Sequence, residues 1–190
     1  MIHYLYYLYK VDSVKATVLK NSNIKSLLDF AKANNVTTYK IEDNDIICIN
    51  SLVDLGEEVF RFYELDASIH NKICDVSVPL FNDEQREIIS SKSTPYIITK
   101  ESLTTIINAY EDKIRDVYNN ILNSQDLAKD AIKYIKDRFN SLTNIPFANV
   151  DIKYPWVLTN TWSLENTVYT LIHILKSVNW EEDVLLFCGW

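Results

Sequence analysis

Residues 99–142 read TKESLTTIINAYEDKIRDVYNNILNSQDLAKDAIKYIKDRFNSL, and this stretch decides most of the fold. Its apolar residues recur at steps of four and three, the spacing of one helical face, and a polar break at 123–126 interrupts them. The pattern predicts two long helices joined by a short turn, an αα-hairpin. The residues that mark the two faces are Leu103, Ile107, Tyr110, Ile114, Val117 and Ile121, then Ala128, Ile132, Ile135, Phe139 and Leu142.

Two residues are expected to begin long helices by capping them. Thr99 offers a side-chain oxygen to the first helix of the hairpin, and Ser163 offers one to a third long helix. The same four-three spacing continues after Ser163, at Leu164, Val168, Leu171, Leu175 and Val178.

Short apolar segments outside these helices predict strands. Residues 2–10 are apolar or aromatic at both alternating positions, which is typical of a strand covered on both faces. Strands are also expected at 14–19, 147–154 and 183–188, and at 59–65, where a helix from Ser51 is the alternative. Strands at 36–41 and 46–49 are expected to form a hairpin with an acidic turn over 42–45.

The remaining segments are short. A helix is expected between an N-cap at Ser22 and Asn34–Asn35, and another over 84–90 with Asp83 as its N-cap. Residues 66–82 are expected to be irregular, because Pro79 opposes a long helix.

Together these elements predict an α+β fold. A small antiparallel or mixed sheet, built from the N-terminal region and the C-terminal strand, would pack with the αα-hairpin and the third long helix. A chain of 190 residues can bury one core, so a single domain over 1–190 is expected. The alternative is a division into a sheet-rich acidic part, 1–80, and a helix-rich part, 98–190.

The negative charge is concentrated in one segment. Residues 42–66 contain eight acidic side chains and one base, Arg61, so the segment carries −7; the remaining 18 acids and 18 bases cancel. Such a field repels nucleic acid and attracts basic protein surfaces. The acidic residues are Glu42, Asp43, Asp45, Asp54, Glu57, Glu58, Glu64 and Asp66.

The amino-acid composition argues against several classes of protein. The chain has only Gly56 and Gly189, so it contains no glycine-rich phosphate loop of an ATPase, a GTPase or a Rossmann enzyme. Its three cysteines lie in apolar contexts and form no metal motif, which favours reduced, buried thiols and a cytoplasmic location. No apolar run is long enough for a membrane span, and the N-terminal residues lack signal-peptide features. No cofactor is expected.

Two patterns favour an enzyme. Asp151-Ile152-Lys153 matches the Asp-x-Lys half of a restriction-type nuclease site, in which the acid binds Mg²⁺ and the lysine positions water. Glu42, Asp43 and Asp45 could hold a divalent cation, although the spacing and central glycine of a calcium loop are missing. A small metal-dependent hydrolase or nuclease is therefore the first alternative function.

Binding surfaces give the other interpretations. The lysines of the second long helix, Lys129, Lys133 and Lys136, alternate with aspartates, so direct nucleic-acid binding is not expected. The four tryptophans all lie in the last 35 residues; Trp156 and Trp162 are candidate partner-binding side chains. A helical subunit that associates with itself, as a homodimer, is the second alternative.

The leading hypothesis is a non-enzymatic protein-interaction module that binds a protein with a basic surface. Its electrostatic patch would be Glu42, Asp43, Asp45, Asp54, Glu57 and Glu58. Eighteen asparagines, with many Ile, Lys and Tyr, indicate an AT-rich genome. Small size, few glycines and confined acidity resemble, in style, phage or mobile-element inhibitors and the immunity proteins of nuclease toxins. Such proteins occupy basic nucleic-acid-binding grooves, where their carboxylates replace phosphates.

Overall fold

A computed structural model describes residues 5–49, 52, 56–62, 65–90, 95–124, 127–141 and 155–189. For residues 124, 138–141 and 155–162 it describes the backbone alone. The fold is α+β, as the sequence predicts. The chain divides into two compact units, one of Met1–Ser102 with Val178–Trp190 and one of Leu103–Ser177. The expectation of a single domain stays a prediction.

The first unit is built on a five-stranded antiparallel sheet of order β4-β1-β7-β6-β5. The strands are β1 (Tyr6–Asp12), β4 (Glu57–Phe62), β5 (Val78–Pro79), β6 (Tyr96–Ile98) and β7 (Asp183–Gly189). β1 pairs with β7 over its whole length, from Tyr6 opposite Gly189 to Asp12 opposite Asp183. The N-terminal and C-terminal strands therefore belong to one sheet, as predicted, and they lie side by side near its centre.

A separate two-stranded hairpin is formed by β2 (Thr38–Ile41) and β3 (Asn44–Ile47), and it confirms the predicted hairpin. Its second strand is tied to the rest of the unit through Ile47, whose N–H donates to Ile88 O at 2.7 Å. The N–H of Ser90 in turn donates to Ile47 O at 3.0 Å. The side chains of Ile46 and Ile47 are both buried. β3 is thus anchored in the core, whereas every residue of β2 is exposed.

Residues 14–19, predicted as a strand, lie instead in helix α1 (Ser13–Asn21). The reason is local. The carboxylate of Asp12, the last residue of β1, accepts a 3.0 Å hydrogen bond from the N–H of Lys15 and so caps a helix there. Ala16 and Leu19, three residues apart on one face, are the buried residues of this helix. Val14 and Val18, four residues apart in the same helix, are exposed.

The predicted helix after α1 is confirmed as α2 (Ile24–Ala33), although Asn23 rather than Ser22 caps it. Residues 66–82, predicted to be irregular, contain helix α3 (Ala67–Val76). Asp66 caps α3 by accepting from the N–H of Ser68, and Ile69 and Ile73 form its buried stripe. Pro79 lies beyond the end of α3, so it does not interrupt this helix.

Helix α4 (Asp83–Arg86) is shorter than predicted and is capped by Asn82 instead of Asp83. Asn82 and Gln85 form a capping box, in which each side chain accepts a hydrogen bond from the other residue's N–H, at 2.8 and 2.9 Å. Gln85 is almost fully buried, with 1% of its surface exposed.

The second unit contains the long helices that the apolar spacing predicts. Helix α5 (Lys100–Ser124) begins after the predicted cap Thr99, whose Oγ1 accepts from the N–H of Ser102 at 3.1 Å. Helix α6 (Lys129–Ser141) follows the polar break. Tyr118 of α5 donates a hydrogen bond to the buried carboxylate of Glu165 on helix α7.

Helix α7 (Pro155–Ser177) begins eight residues before the predicted cap Ser163. Proline is favoured in the first turn of a helix, because its missing N–H is not needed there. Pro155 therefore marks the start of a helix, directly after residues 147–154, for which a strand is predicted. That strand itself lies outside the described residues.

Candidate protein-interaction surface

Glu42 and Asp43 form the two-residue turn of the β2–β3 hairpin. Ile41 pairs with Asn44, so only these two residues lie between the strands. Both have positive φ, 48° and 69°, which two-residue turns of the type I′ kind require at both central positions. Both side chains are exposed. An acidic turn is therefore present, but it has two residues instead of the predicted four, because Asn44 and Asp45 belong to β3. It directs two carboxylates into solvent.

Asp45 follows on β3, directly opposite Lys40 of β2, and is partly exposed. We call Glu42, Asp43 and Asp45 the acidic tip. Within the part of the chain that the structure describes, none of these three carboxylates forms an ion pair. The acidic tip therefore presents three carboxylates, with Lys40 as the nearest base along either strand.

Two apolar side chains adjoin the acidic tip. Tyr39 and Ile41 are 43% and 50% exposed, and alternation along β2 places both on the same face of the hairpin. The sequence suggested a strand here, but its apolar residues gave no sign that they would be exposed. The one available signal was Lys40, because lysine is typical of edge strands.

Glu57 and Glu58 have a different environment on β4. The Nζ of Lys10 lies 2.7 Å from Glu57 Oε2, and this hydrogen bond raises the pKa of Lys10. Glu58 accepts from Arg61 at 3.2 and 3.3 Å, and the same guanidinium lies 4.9 Å from the centre of the Tyr7 ring. Their charges are locally balanced, so they contribute less to an outward field than the acidic tip does.

For the other predicted site residues, the structure describes no side chain. Asp54 lies outside the described residues, as does the Asp151-Ile152-Lys153 motif. Trp156 and Trp162 lie on α7 in the second unit, where only their backbone is described. Their part in partner binding stays a prediction.

One cluster of reactive side chains was missed by the sequence analysis. Cys74 Sγ lies 4.0 Å from His70 Nε2, one turn away on α3. The His70 ring contacts Tyr6 and Phe187, with ring centres 5.0 and 5.9 Å apart. Burial raises the pKa of the Cys74 thiol despite a hydrogen bond with Tyr96, so the thiol stays protonated at neutral pH. A protonated thiol is a poor nucleophile. The spacing His70-x-x-x-Cys74 would have revealed this pair.

The three thiols only partly fit the expectation of buried cysteines. Cys188 is buried on β7, and burial raises its pKa. Cys48 and Cys74 are each partly exposed. All three are free thiols, as predicted.

A shallow cleft of about 410 Å³ lies in the first unit beside the end of α1. Lys20 and Arg86 contribute its positive charge, and Arg86 is paired with Asp83. Leu80 and Phe81 form part of its wall.

In the described ranges, no group of three or more His, Cys, Asp or Glu side chains could hold a metal ion. None of the helices described there is long and apolar enough to cross a membrane.

Comparison with protein-family models, with curated proteins and with solved structures finds no match to this chain. The arrangement of the described residues therefore has to support any functional proposal by itself.

Proposed function

We propose that this chain is a non-enzymatic protein-interaction module that binds a basic surface of a partner protein through its acidic tip. The observation that supports this most is the position of Glu42 and Asp43 in the hairpin turn. They are exposed, and within the described residues they form no ion pair. Carboxylates in this position are available to a partner without first breaking an internal contact.

The identity of the turn residues supports the proposal further. Asn-Gly is strongly preferred in a two-residue turn of this kind, because both residues have positive φ. Glutamate pays a steric penalty there, of roughly 1 kcal/mol. A turn that holds Glu42 at φ 48° is therefore less stable than the same turn with asparagine and glycine. Backbone strain retained at an exposed position is a reason to look for function in the side chain.

The chemistry of the partner follows from the charge. A protein of net charge −7 is attracted to a basic surface over roughly one Debye length, about 10 Å at 0.1 M salt. Basic protein surfaces commonly serve to bind phosphates of nucleic acid. We therefore propose an inhibitor or immunity protein of a phage or mobile element, acting in the cytoplasm, which excludes nucleic acid from its target.

The double variant Glu42→Asn, Asp43→Gly is expected to raise stability and to weaken binding. We expect the free energy of unfolding to increase by about 1 kcal/mol, because the turn loses its steric penalty. The partner's Kd should increase in the same variant, because two carboxylates are lost. Urea denaturation and calorimetric titration measure the two effects. A variant that is more stable and binds as tightly as the natural chain would contradict the proposal.

Binding through the acidic tip should also depend on salt. With a partner recovered by affinity purification and then purified itself, we expect Kd to increase roughly tenfold between 50 and 300 mM salt. The matched control is Asp112→Asn with Asp116→Asn, which removes two exposed charges from α5 and leaves the hairpin unchanged. An equal loss of affinity in this control would assign the effect to net charge instead of to the tip. A partner whose contact surface is not basic would also overturn the proposal.

A further inference from the structure

The two outer edges of the β2–β3 hairpin differ in the hydrogen bonds that their backbone groups form. The N–H of Cys48 donates to Thr37 O at 2.8 Å, and the pairs Tyr39–Ile46 and Ile41–Asn44 continue this alternation. The backbone groups of Thr37, Tyr39 and Ile41 therefore point towards β3. Those of Thr38 and Lys40 point in the opposite direction, because hydrogen-bonded and non-hydrogen-bonded pairs alternate in an antiparallel ladder.

On β3 the corresponding outer edge is occupied. Ile47, which is opposite Thr38, uses its N–H and its C=O to bond Ile88 and Ser90. On β2, no strand within the described part of the chain pairs with the outer edge. Two outward N–H groups and two outward C=O groups, at Thr38 and Lys40, are thus placed where a further strand would bind them.

The side chains of β2 are arranged to receive such a strand. An added strand would cover Tyr39 and Ile41, which are exposed on one face. At one end it would reach the acidic tip. A segment with basic residues there would gain both main-chain hydrogen bonds and charge complementarity.

A second copy of this chain is a poorer occupant. Each copy carries −7, so two acidic chains repel one another, and symmetric pairing centred on Lys40 would place two lysines face to face. A basic extended segment avoids the first penalty, because its charge is opposite to the net charge of the chain.

We propose that β2 binds an extended basic segment of a partner protein by strand addition, in which Thr38 and Lys40 supply the main-chain hydrogen bonds. This inference rests on the proposed function and adds the mode of binding. Strand addition changes the environment of the backbone groups of Thr38 and Lys40 on binding, whereas charge attraction alone does not require such a change.

Amide hydrogen exchange of the whole chain, followed by NMR, tests this. In the chain alone, Tyr39 and Ile41 should be protected, whereas Thr38 and Lys40 should exchange rapidly. The probe is a short synthetic peptide in which lysine alternates with valine. At ten times its Kd, we expect the exchange of Thr38 and Lys40 to slow by about tenfold. The control peptide has the same sequence with every backbone nitrogen methylated, which keeps the charge but removes each N–H that strand pairing needs, so it should give no protection.

The variant Lys40→Pro gives an independent test, with Lys40→Ala as its control for the lost charge. Proline is tolerated at the outward position of an edge strand but removes the N–H that an added strand would need. We expect Lys40→Pro to weaken binding of the lysine–valine peptide at least about tenfold relative to Lys40→Ala. Continued protection of Tyr39 and Ile41 in the variant will show that the hairpin remains folded.

The outcomes separate strand addition from the broader proposal. If the peptide binds, and loses affinity in the Glu42→Asn, Asp43→Gly variant, but Thr38 and Lys40 exchange as before, strand addition is wrong and the acidic interaction stands. If no peptide binds, both are overturned for basic extended segments. If the chain alone protects Thr38 and Lys40 as its concentration increases, the occupant is a second copy, and the basic segment is wrong.

Discussion

Phe187→Ala is expected to lower the free energy of unfolding by about 3–5 kcal/mol. Phe187 is 2% exposed on β7 and is paired with both Leu8 of β1 and Tyr96 of β6. Its ring is stacked on Tyr6, with ring centres 5.3 Å apart and planes 3° apart. Truncation therefore leaves a cavity where β1, β7 and β6 lie side by side.

The ring also orders the residues around it. Phe62 of β4 meets Phe187 edge to face, at 5.7 Å and 82°, and His70 of α3 lies 5.9 Å away. Aromatic pairs of this geometry contribute about 0.5–1.5 kcal/mol each beyond the area that they bury. Loss of the ring should thus loosen α3 and β4 together, although neither is next to β7 in the sequence.

Urea denaturation followed by far-UV circular dichroism measures the effect. Phe187→Leu keeps much of the volume and should cost less than about 1.5 kcal/mol. Val78→Ala is the control on an exposed position of the same sheet, with an expected change within about 0.5 kcal/mol. A loss under 1 kcal/mol for Phe187→Ala would mean that the aromatic cluster is not a stabilising core.

The sequence predicted those elements whose burial is unusually complete or unusually periodic. β1 and β7 could be predicted because apolar residues occupy both alternating positions, as a strand covered on both faces of the sheet requires. The long helices α5 and α6 could be predicted from their four-three spacing. In each case the pattern along the chain and the burial in space have the same cause.

The elements that were wrongly predicted depend on one polar side chain each. α1 was interpreted as a strand because valine favours strands, but Asp12 caps a helix at that point. α3 was missed because its buried stripe is only Ile69 and Ile73, and because Pro79 opposed a long helix while the cap at Asp66 was not recognised. Weak apolar periodicity with a correct cap is sufficient for a helix that packs against a sheet, and sequence spacing alone underestimates it.

The acidic tip could be predicted because a turn is local, whereas the balance of the other acids could not. Nothing near Glu57 in the sequence identifies Lys10 as its partner; pairing of β4 with β1 brings the two together. The unequal use of the two edges of the hairpin likewise depends on residues 88–90, which are more than forty positions away from β3. The sequence therefore predicted where the charge is, and the fold determines which of the described carboxylates are held in ion pairs.

Gln85→Met is expected to lower the free energy of unfolding by about 2–4 kcal/mol, although it replaces only the buried side-chain amide with an apolar group of similar size. The Nε2 of Gln85 donates to Leu19 O at 2.9 Å and to Ser22 O at 2.7 Å, across more than sixty residues. Leu19 lies in the last turn of α1, where its carbonyl also accepts a long hydrogen bond of 3.4 Å from the N–H of the C-cap residue Ser22. Methionine fills the same space but leaves the carbonyls without this donor. It also removes the Oε1 acceptor of the capping box.

Gln85→Glu separates the missing donor from the change in shape. A glutamate there would be buried against carbonyl oxygens at the negative end of α1, which favours its protonated form and raises its pKa above the unfolded value. At neutral pH the variant should be at least as unstable as Gln85→Met. As pH falls, the folded state binds the proton first, so the variant should regain stability relative to the natural chain. Urea denaturation of all three proteins at pH 7 and pH 4 measures this. A Gln85→Glu chain whose deficit is the same at both pH values would show that the carbonyls of Leu19 and Ser22 do not need a donor from position 85.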